Sequence, residues 1–167
     1  MKAPNNLILI GMPASGKSTV GVLAAKGLGF DFVDTDLLLQ KQEGKKLHEI
    51  LAREGNQGFL DAENRLLAGL SVSQSVVSTG GSAVYNARGM AHLKSLGTVV
   101  WLDVSFGEIE RRLGDMVSRG VVLKPGQTLR NLFDERFPLY ESWADLRLPV
   151  GQEPLETTAN RLLSLVL

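Results

Sequence analysis

"LILIGMPASGKST", Leu7 to Thr19, decides the fold: four apolar residues run into a glycine-rich turn that ends in Gly-Lys-Ser. The spacing Gly11-x-x-x-x-Gly16-Lys17-Ser18 is that of a phosphate-binding P-loop, and each position has a mechanical reason. The glycines let backbone N–H groups turn inward around a β-phosphate. Lys17 sets a charge on the β and γ oxygens, and Ser18 can ligate Mg²⁺ where the following helix begins. A buried strand before the turn and an amphipathic segment after it are what this mechanism demands, so the stretch predicts binding of ATP or GTP. The residues expected to hold nucleotide are Gly11, Ala14, Ser15, Gly16, Lys17, Ser18 and Thr19.

Working outward, short runs rich in Val, Ile and Leu alternate with longer helical segments, the pattern of a parallel sheet covered on both faces. Strands are expected at Leu7–Ile10, Asp31–Val33, Ser75–Ser78, Thr98–Asp103 and Leu146–Val150. Helices are expected near Lys17–Gly27, Asp36–Gln42, Leu47–Arg53, Phe59–Leu70, Asn86–Ser95, Phe106–Leu113, Thr128–Trp143 and Leu155–Leu165. This is α/β: a three-layer αβα sandwich around a five-stranded parallel sheet, a P-loop kinase fold. "SFGE", Ser105 to Glu108, has capping-box form and marks a helix start after the fourth strand. "GDMVSRGVVLKPGQ", Gly114 to Gln127, is the least regular stretch and reads as a lid loop.

The 167 residues suit one domain spanning the chain. Lys+Arg and Asp+Glu stand at 18 each, so no net field holds nucleic acid or an anionic membrane, and neither is expected as a partner. There is no cysteine, which excludes disulfides and thiol nucleophiles. The apolar run before Gly11 is too short for a signal peptide or membrane span, and the expected setting is the cytoplasm. A monomer is expected.

"DFVDTD" carries Asp34 and Asp36 at the carboxyl end of the second strand, where parallel sheets bind their ligands. Metal and substrate roles compete there with helix capping. His48 and His92 show no ligand spacing and read as surface residues, while Trp101 and Trp143 read as core.

Taken with "VVSTGGSAV", "RRLGDMVSRG" and "DERFPLYESWADL", these motifs give a chain that resembles the shikimate kinases over nearly its whole length. The resemblance implies that Lys17 and Ser18 hold phosphates and Mg²⁺, that Asp34 sits by the metal through water, and that Asp36 aligns or deprotonates the acceptor hydroxyl. Gly80 and Gly81 fall on the family's substrate-facing glycine turn, and Glu63 on an acid that contacts substrate or its arginine. Arg112 falls on a residue over the nucleotide base, Arg119 on a lid arginine over the transferring phosphate, and Arg136 on an arginine that clamps the substrate carboxylate. Lys17, Asp36 and Arg119 are thus the catalytic candidates, and Asp36, Glu63, Gly80, Gly81 and Arg136 the substrate-binding ones.

Three positions depart from the family pattern. Leu60 in "GFLDAEN" replaces a second carboxylate-binding arginine, Ser82 replaces a third glycine, and the lid reads Arg119-Gly-Val-Val. A charged hydrogen-bonded pair is worth about 1.5–3 kcal/mol, so the loss at Leu60 would cost shikimate roughly tenfold to a hundredfold in affinity. From this we expect a small-molecule kinase that takes a hydroxylated acid or amino acid, with homoserine as acceptor and shikimate as the alternative. A further alternative is a nucleotide-binding module without catalysis. Leu60 can also be read as merely widening the apolar stripe of Phe59, Leu66, Leu67 and Leu70.

Overall fold

Five strands form one sheet in a computed structural model that describes residues 5–114 and 121–167. They are β1 (Asn6–Ile10), β2 (Asp31–Asp34), β3 (Ser75–Ser78), β4 (Thr98–Val104) and β5 (Leu146–Val150). All pairings are parallel, in the order β2-β3-β1-β4-β5, and Ile8 of β1 lies between Val77 and Val99. Every residue of β1 and of β3 is buried, as expected for central strands with a layer on each face.

The helices are α1 (Lys17–Leu28), α2 (Thr35–Glu43), α3 (Leu47–Ala68), α4 (Ala87–Leu96), α5 (Phe106–Arg112), α6 (Leu129–Trp143) and α7 (Leu155–Val166). The β1-α1-β2 crossover runs to one side of β1, whereas those leading to β3, β4 and β5 run back the other way. Right-handed crossovers therefore put α1 on the opposite face from α3, α4 and α6. The packing agrees, with α1 against α7 and α3 against α4. The reversal occurs beside β1, so the crevice for a ligand opens at the carboxyl ends of β1 and β3. The expected three-layer arrangement is the one found.

The strands match their expected positions to within a residue at either end. Three local differences have physical causes. The segments expected as two helices, Leu47–Arg53 and Phe59–Leu70, are one helix kinked at Gly55, whose φ 70 and ψ 178 only glycine takes readily. Thr128 is not the first helical residue but the cap of α6, its hydroxyl accepting from Asn131 N. Ser105 caps α5 as expected, but Glu108 does not close the box: its carboxylate turns to Arg111 and Arg112 at 2.6 and 2.7 Å.

The main core surrounds the sheet and includes Trp101, whose ring meets Phe137 edge-on at 4.9 Å. Trp143 donates its indole N–H to Val84 O, and His92 bonds the Leu70 carbonyl, so both serve packing. A second, smaller cluster joins α2, α3 and the segment after the undescribed residues: Leu39, Ile50, Phe59, Ala62 and Val122. Among the described residues no helix is long and apolar enough to cross a membrane.

Candidate active site

The turn after β1 is built for an anion. Gly11, Ala14 and Gly16 all have positive φ, which brings successive N–H groups round to one side. At Gly16 a side chain is excluded twice, by φ 92 and by Leu155 Cδ2, which would lie 2.9 Å from a Cβ. Ser15 is fully buried, and Ser18 and Thr19 open α1 exposed to the cleft. The Lys17 ammonium donates to Gly11 O at 2.8 Å, Met12 O at 2.9 Å and Ser15 Oγ at 3.3 Å. Burial lowers its pKa to about 8, with the charge of Asp36 opposing the shift.

Beside this turn, Asp34 does two jobs. Its Oδ1 caps α2 by accepting from Asp36 N and Leu37 N, while Oδ2 accepts from the Ser18 hydroxyl at 3.0 Å. The cap is therefore Asp34, and Asp36 is freed to turn its carboxylate into the cleft. The hard oxygens of Ser18 and Asp34, adjacent and facing the phosphate loop, are a donor set suited to Mg²⁺. Among the described residues no cluster of three or more His, Asp or Glu could hold a metal on its own. A two-ligand site of this kind suits an ion whose remaining ligands are phosphates and water.

A cleft of about 360 Å³ extends from the phosphate loop past Asp36, Phe59, Gly80, Gly81 and Arg136. Gly80 and Gly81 form its floor because nothing larger fits. A Cβ on Gly80 would stand 2.6 Å from Asp36 Oδ1 and 2.9 Å from Glu63 Oε2, and one on Gly81 would stand 2.7 Å from Pro13 Cδ and 2.8 Å from Arg136 Nη1. These four contacts show that Asp36, Glu63 and Arg136 converge on one turn.

Burial sets the charge state of the acids. Asp36 is pushed up to about 6 by burial and by the charge of Asp34, against the pull of Lys17. Glu63 is pushed up to about 7 by burial and then by Asp36, although Ser82 and Asn86 both donate to its Oε1 at 2.8 Å. Arg136, on α6, is 1% exposed, so it is not the surface helix arginine that its sequence position alone suggests. Its Nε donates to Tyr85 Oη at 3.4 Å and its Nη2 to Val122 O at 3.3 Å. Among the described residues no carboxylate lies within ion-pair distance of it. A buried guanidinium in that state is a strong receptor for an incoming carboxylate.

Arg112 lies on the other side of the phosphate loop, Nη1 on Ala14 O at 3.3 Å, in a second recess shared with Glu153, Pro154 and Leu155. Arg119 falls outside the described residues. Part of the expected lid is held in place: Val122 packs in the second cluster, Leu123 O accepts from Asn56 Nδ2, and Lys124 Nζ lies 2.8 Å from Glu135.

Local pattern does not mark Tyr85, Tyr140 or Asn86 as site residues, and it marks Ser82 only by its departure from the family's glycine turn. Tyr140 donates its hydroxyl to Gly81 O at 2.8 Å and so pins the turn. Its position four residues after Arg136, on the same helix face, is the signal that could have found it. Leu60 is half-buried and packs against the second cluster, as the apolar-stripe reading expects.

Comparison with known proteins agrees over nearly the full length. The Shikimate kinase family pattern matches residues 13–166. The chain is 37% identical to the shikimate kinase of Persephonella marina, over 90% of this chain and 93% of that protein. It is 39% identical to the one from Trichormus variabilis, over 96% and 90%. Among solved structures, shikimate kinase from Acinetobacter baumannii in complex with shikimate superposes with a TM-score of 0.89 at 32% identity, covering 97% of this chain and 92% of that one.

These likenesses correct the expectation of homoserine as acceptor. Relatives at this identity are shikimate kinases, and the apolar packing of Leu60 removes the need to explain it by a new substrate. The matches and the site agree on an ATP-dependent small-molecule kinase, and the chain belongs to the shikimate kinase family.

Proposed function

We propose that the protein transfers the γ-phosphoryl group of ATP to a hydroxyl of shikimate. The observation that carries this reading is Arg136: a buried cation facing Gly81, lining the same cleft as the Asp36 carboxylate. A ring carrying a carboxylate at one end and hydroxyls at the other would answer both groups at once. The solved relative from A. baumannii is in complex with shikimate, which supports the same acceptor.

In this reading Arg136 holds the acceptor carboxylate and Asp36 accepts a hydrogen bond from the reacting hydroxyl. The hydroxyl oxygen bonds to the γ-phosphorus as the bond from that phosphorus to the β–γ bridging oxygen breaks; ADP leaves, and the hydroxyl proton passes to Asp36. A carboxylate shifted up to about 6 is a better proton acceptor than an ordinary aspartate and is still mostly ionised at neutral pH. Lys17, already turned into the loop, balances charge on the phosphates, and the loop N–H groups cradle them. Arg119 is proposed to close over the phosphoryl group from a lid at about 114–127, and Arg112 to lie beside the base. Mg²⁺ would be held by Ser18 and Asp34, where it supplies charge neutralisation on the β and γ oxygens. All these groups belong to one chain, so a monomer suffices, and the substrates are soluble metabolites suited to the cytoplasm.

The test is ADP release with shikimate and, separately, with homoserine under matched conditions. Rapid turnover of shikimate alone is expected. Turnover of neither would overturn the reading.

A further inference from the structure

Of the three residues in the turn after β3, only the first two have no room for a side chain. Ser82 has φ −85 and ψ −6, ordinary right-handed backbone, and its side chain points inward with 5% of the residue exposed. Its hydroxyl donates to Glu63 Oε1 at 2.8 Å, and Asn86, four residues on, donates Nδ2 to the same oxygen at 2.8 Å. Glu63 Oε2 has no hydrogen-bond partner among the described residues, and it lies buried beside Gly80.

Glu63, an acid, and Arg136, a permanent cation, are 1% exposed each, and they flank adjacent glycines of one turn. No ion pair within 4.0 Å joins them. Once Glu63 ionises, above about pH 7, the two buried charges around one turn attract, and a glutamate has three side-chain torsions with which to respond. Something must keep them apart. The only side-chain donors on Glu63 among the described residues are Ser82 and Asn86, on the far oxygen.

We propose that Ser82 and Asn86 are positioning residues that hold the Glu63 carboxyl off Arg136, so that the guanidinium stays open to the acceptor's carboxylate. The consequence for the acceptor rests on the shikimate reading above; the restraint on Glu63 does not. Leu60 and Ser82 then belong together: with one cation serving the acceptor carboxylate, that cation must not be spent on Glu63.

The experiment uses Ser82→Ala, Asn86→Ala and the double variant. In steady-state kinetics KM for shikimate is expected to rise about tenfold in the double variant, with KM for ATP unchanged. The decisive readout needs no substrate: ¹³C NMR titration of the Glu63 carboxyl carbon in the apo protein. The titratable and charged groups facing it are Asp36, Arg136 and the neutral phenol of Tyr140. Freed from its donors, a carboxyl that swings onto Arg136 titrates lower than in wild type, which is the expected result. One that stays in place and merely loses two donors titrates higher, which overturns the proposal. Equal increases in KM for both substrates would overturn it as well. Should the double variant not fold, either single variant shows the direction of the shift. A wild type inactive on shikimate would sink the acceptor reading and leave the titration result to judge the restraint.

Discussion

Asp36 Oδ1 and Glu63 Oε2 close on the same point above the Gly80 α-carbon, within 2.6 and 2.9 Å of where a Cβ would stand. Burial raises the cost of ionising both, and a neighbouring aspartate adds to it at each, Asp34 at Asp36 and Asp36 at Glu63. Both pKa values are displaced upward, to about 6 and about 7.

Glu63 should therefore destabilise the empty protein at alkaline pH. Its pKa rises from 4.5 to about 7 on folding, so between those values the folded chain keeps a proton that the unfolded chain has released. Stability is full below about pH 4.5 and falls as pH rises to about 7, by something on the order of 3 kcal/mol. Glu63→Gln removes that loss, so Tm at pH 8 should rise by roughly 5–10 °C over wild type and at pH 4 hardly at all. Activity should fall. A Tm difference independent of pH would show that the carboxyl is not the cause.

Gly80→Ala tests the convergence itself. The clashing atoms are ends of side chains, so the fold should survive with Tm within a few degrees. Displacing the two carboxylates by a few tenths of an ångström or more should lower kcat/KM for the acceptor by about a hundredfold, with KM for ATP intact.

Arg136 should show a trade between stability and activity. Arg136→Met removes a buried charge that has no acidic partner among the described residues, so the apo protein should be as stable as wild type or more so. Acceptor binding should be lost. Arg136→Lys keeps the charge but not the planar fork, and kcat/KM should fall roughly tenfold to a hundredfold with the ATP side unaffected.

Asp34 can be split into its two jobs. Asp34→Ala loses the cap of α2 and should cost about 1 kcal/mol in urea denaturation. Asp34→Ser restores a capping oxygen and should recover that stability. Both should need about tenfold more Mg²⁺ for half-maximal rate. A serine variant with wild-type Mg²⁺ dependence would remove Asp34 from the metal site.

Leu60→Arg asks whether a second cation helps. Leu60 is half-buried at the rim of the small cluster, so a long side chain can carry its guanidinium out of that cluster, free to meet the acceptor, at little cost in stability. KM for shikimate should fall by about tenfold, and an unchanged KM would mean that Arg136 alone saturates the carboxylate.

The sheet, the phosphate loop and the two aspartates at the carboxyl end of β2 are legible because each depends on neighbours in the chain. Burial of a parallel strand needs a continuous apolar run, and a phosphate cradle needs its glycines, lysine and hydroxyl at fixed local spacing. The kink at Gly55 was read as a break between helices, since glycine interrupts a helical pattern in either case. Leu60 misleads about the acceptor, because a missing cation in the sequence does not show the apolar cluster that the leucine packs against.

What local pattern could not supply was which polar groups become buried together. An arginine on a helix looks the same in sequence whether it faces solvent or Gly81. Glu63 reaches Ser82 and Asn86, and Arg136 reaches Val122, across separations of 14 to 23 residues. Tyr140 Oη reaches the Gly81 carbonyl across 59. Charge state follows from that packing, because desolvation is the largest cause of the shift at Lys17, Asp36 and Glu63 alike. The chain's order of residues names the donor half of the site; the packing of α2, α3 and α6 on the turn after β3 makes the acceptor half.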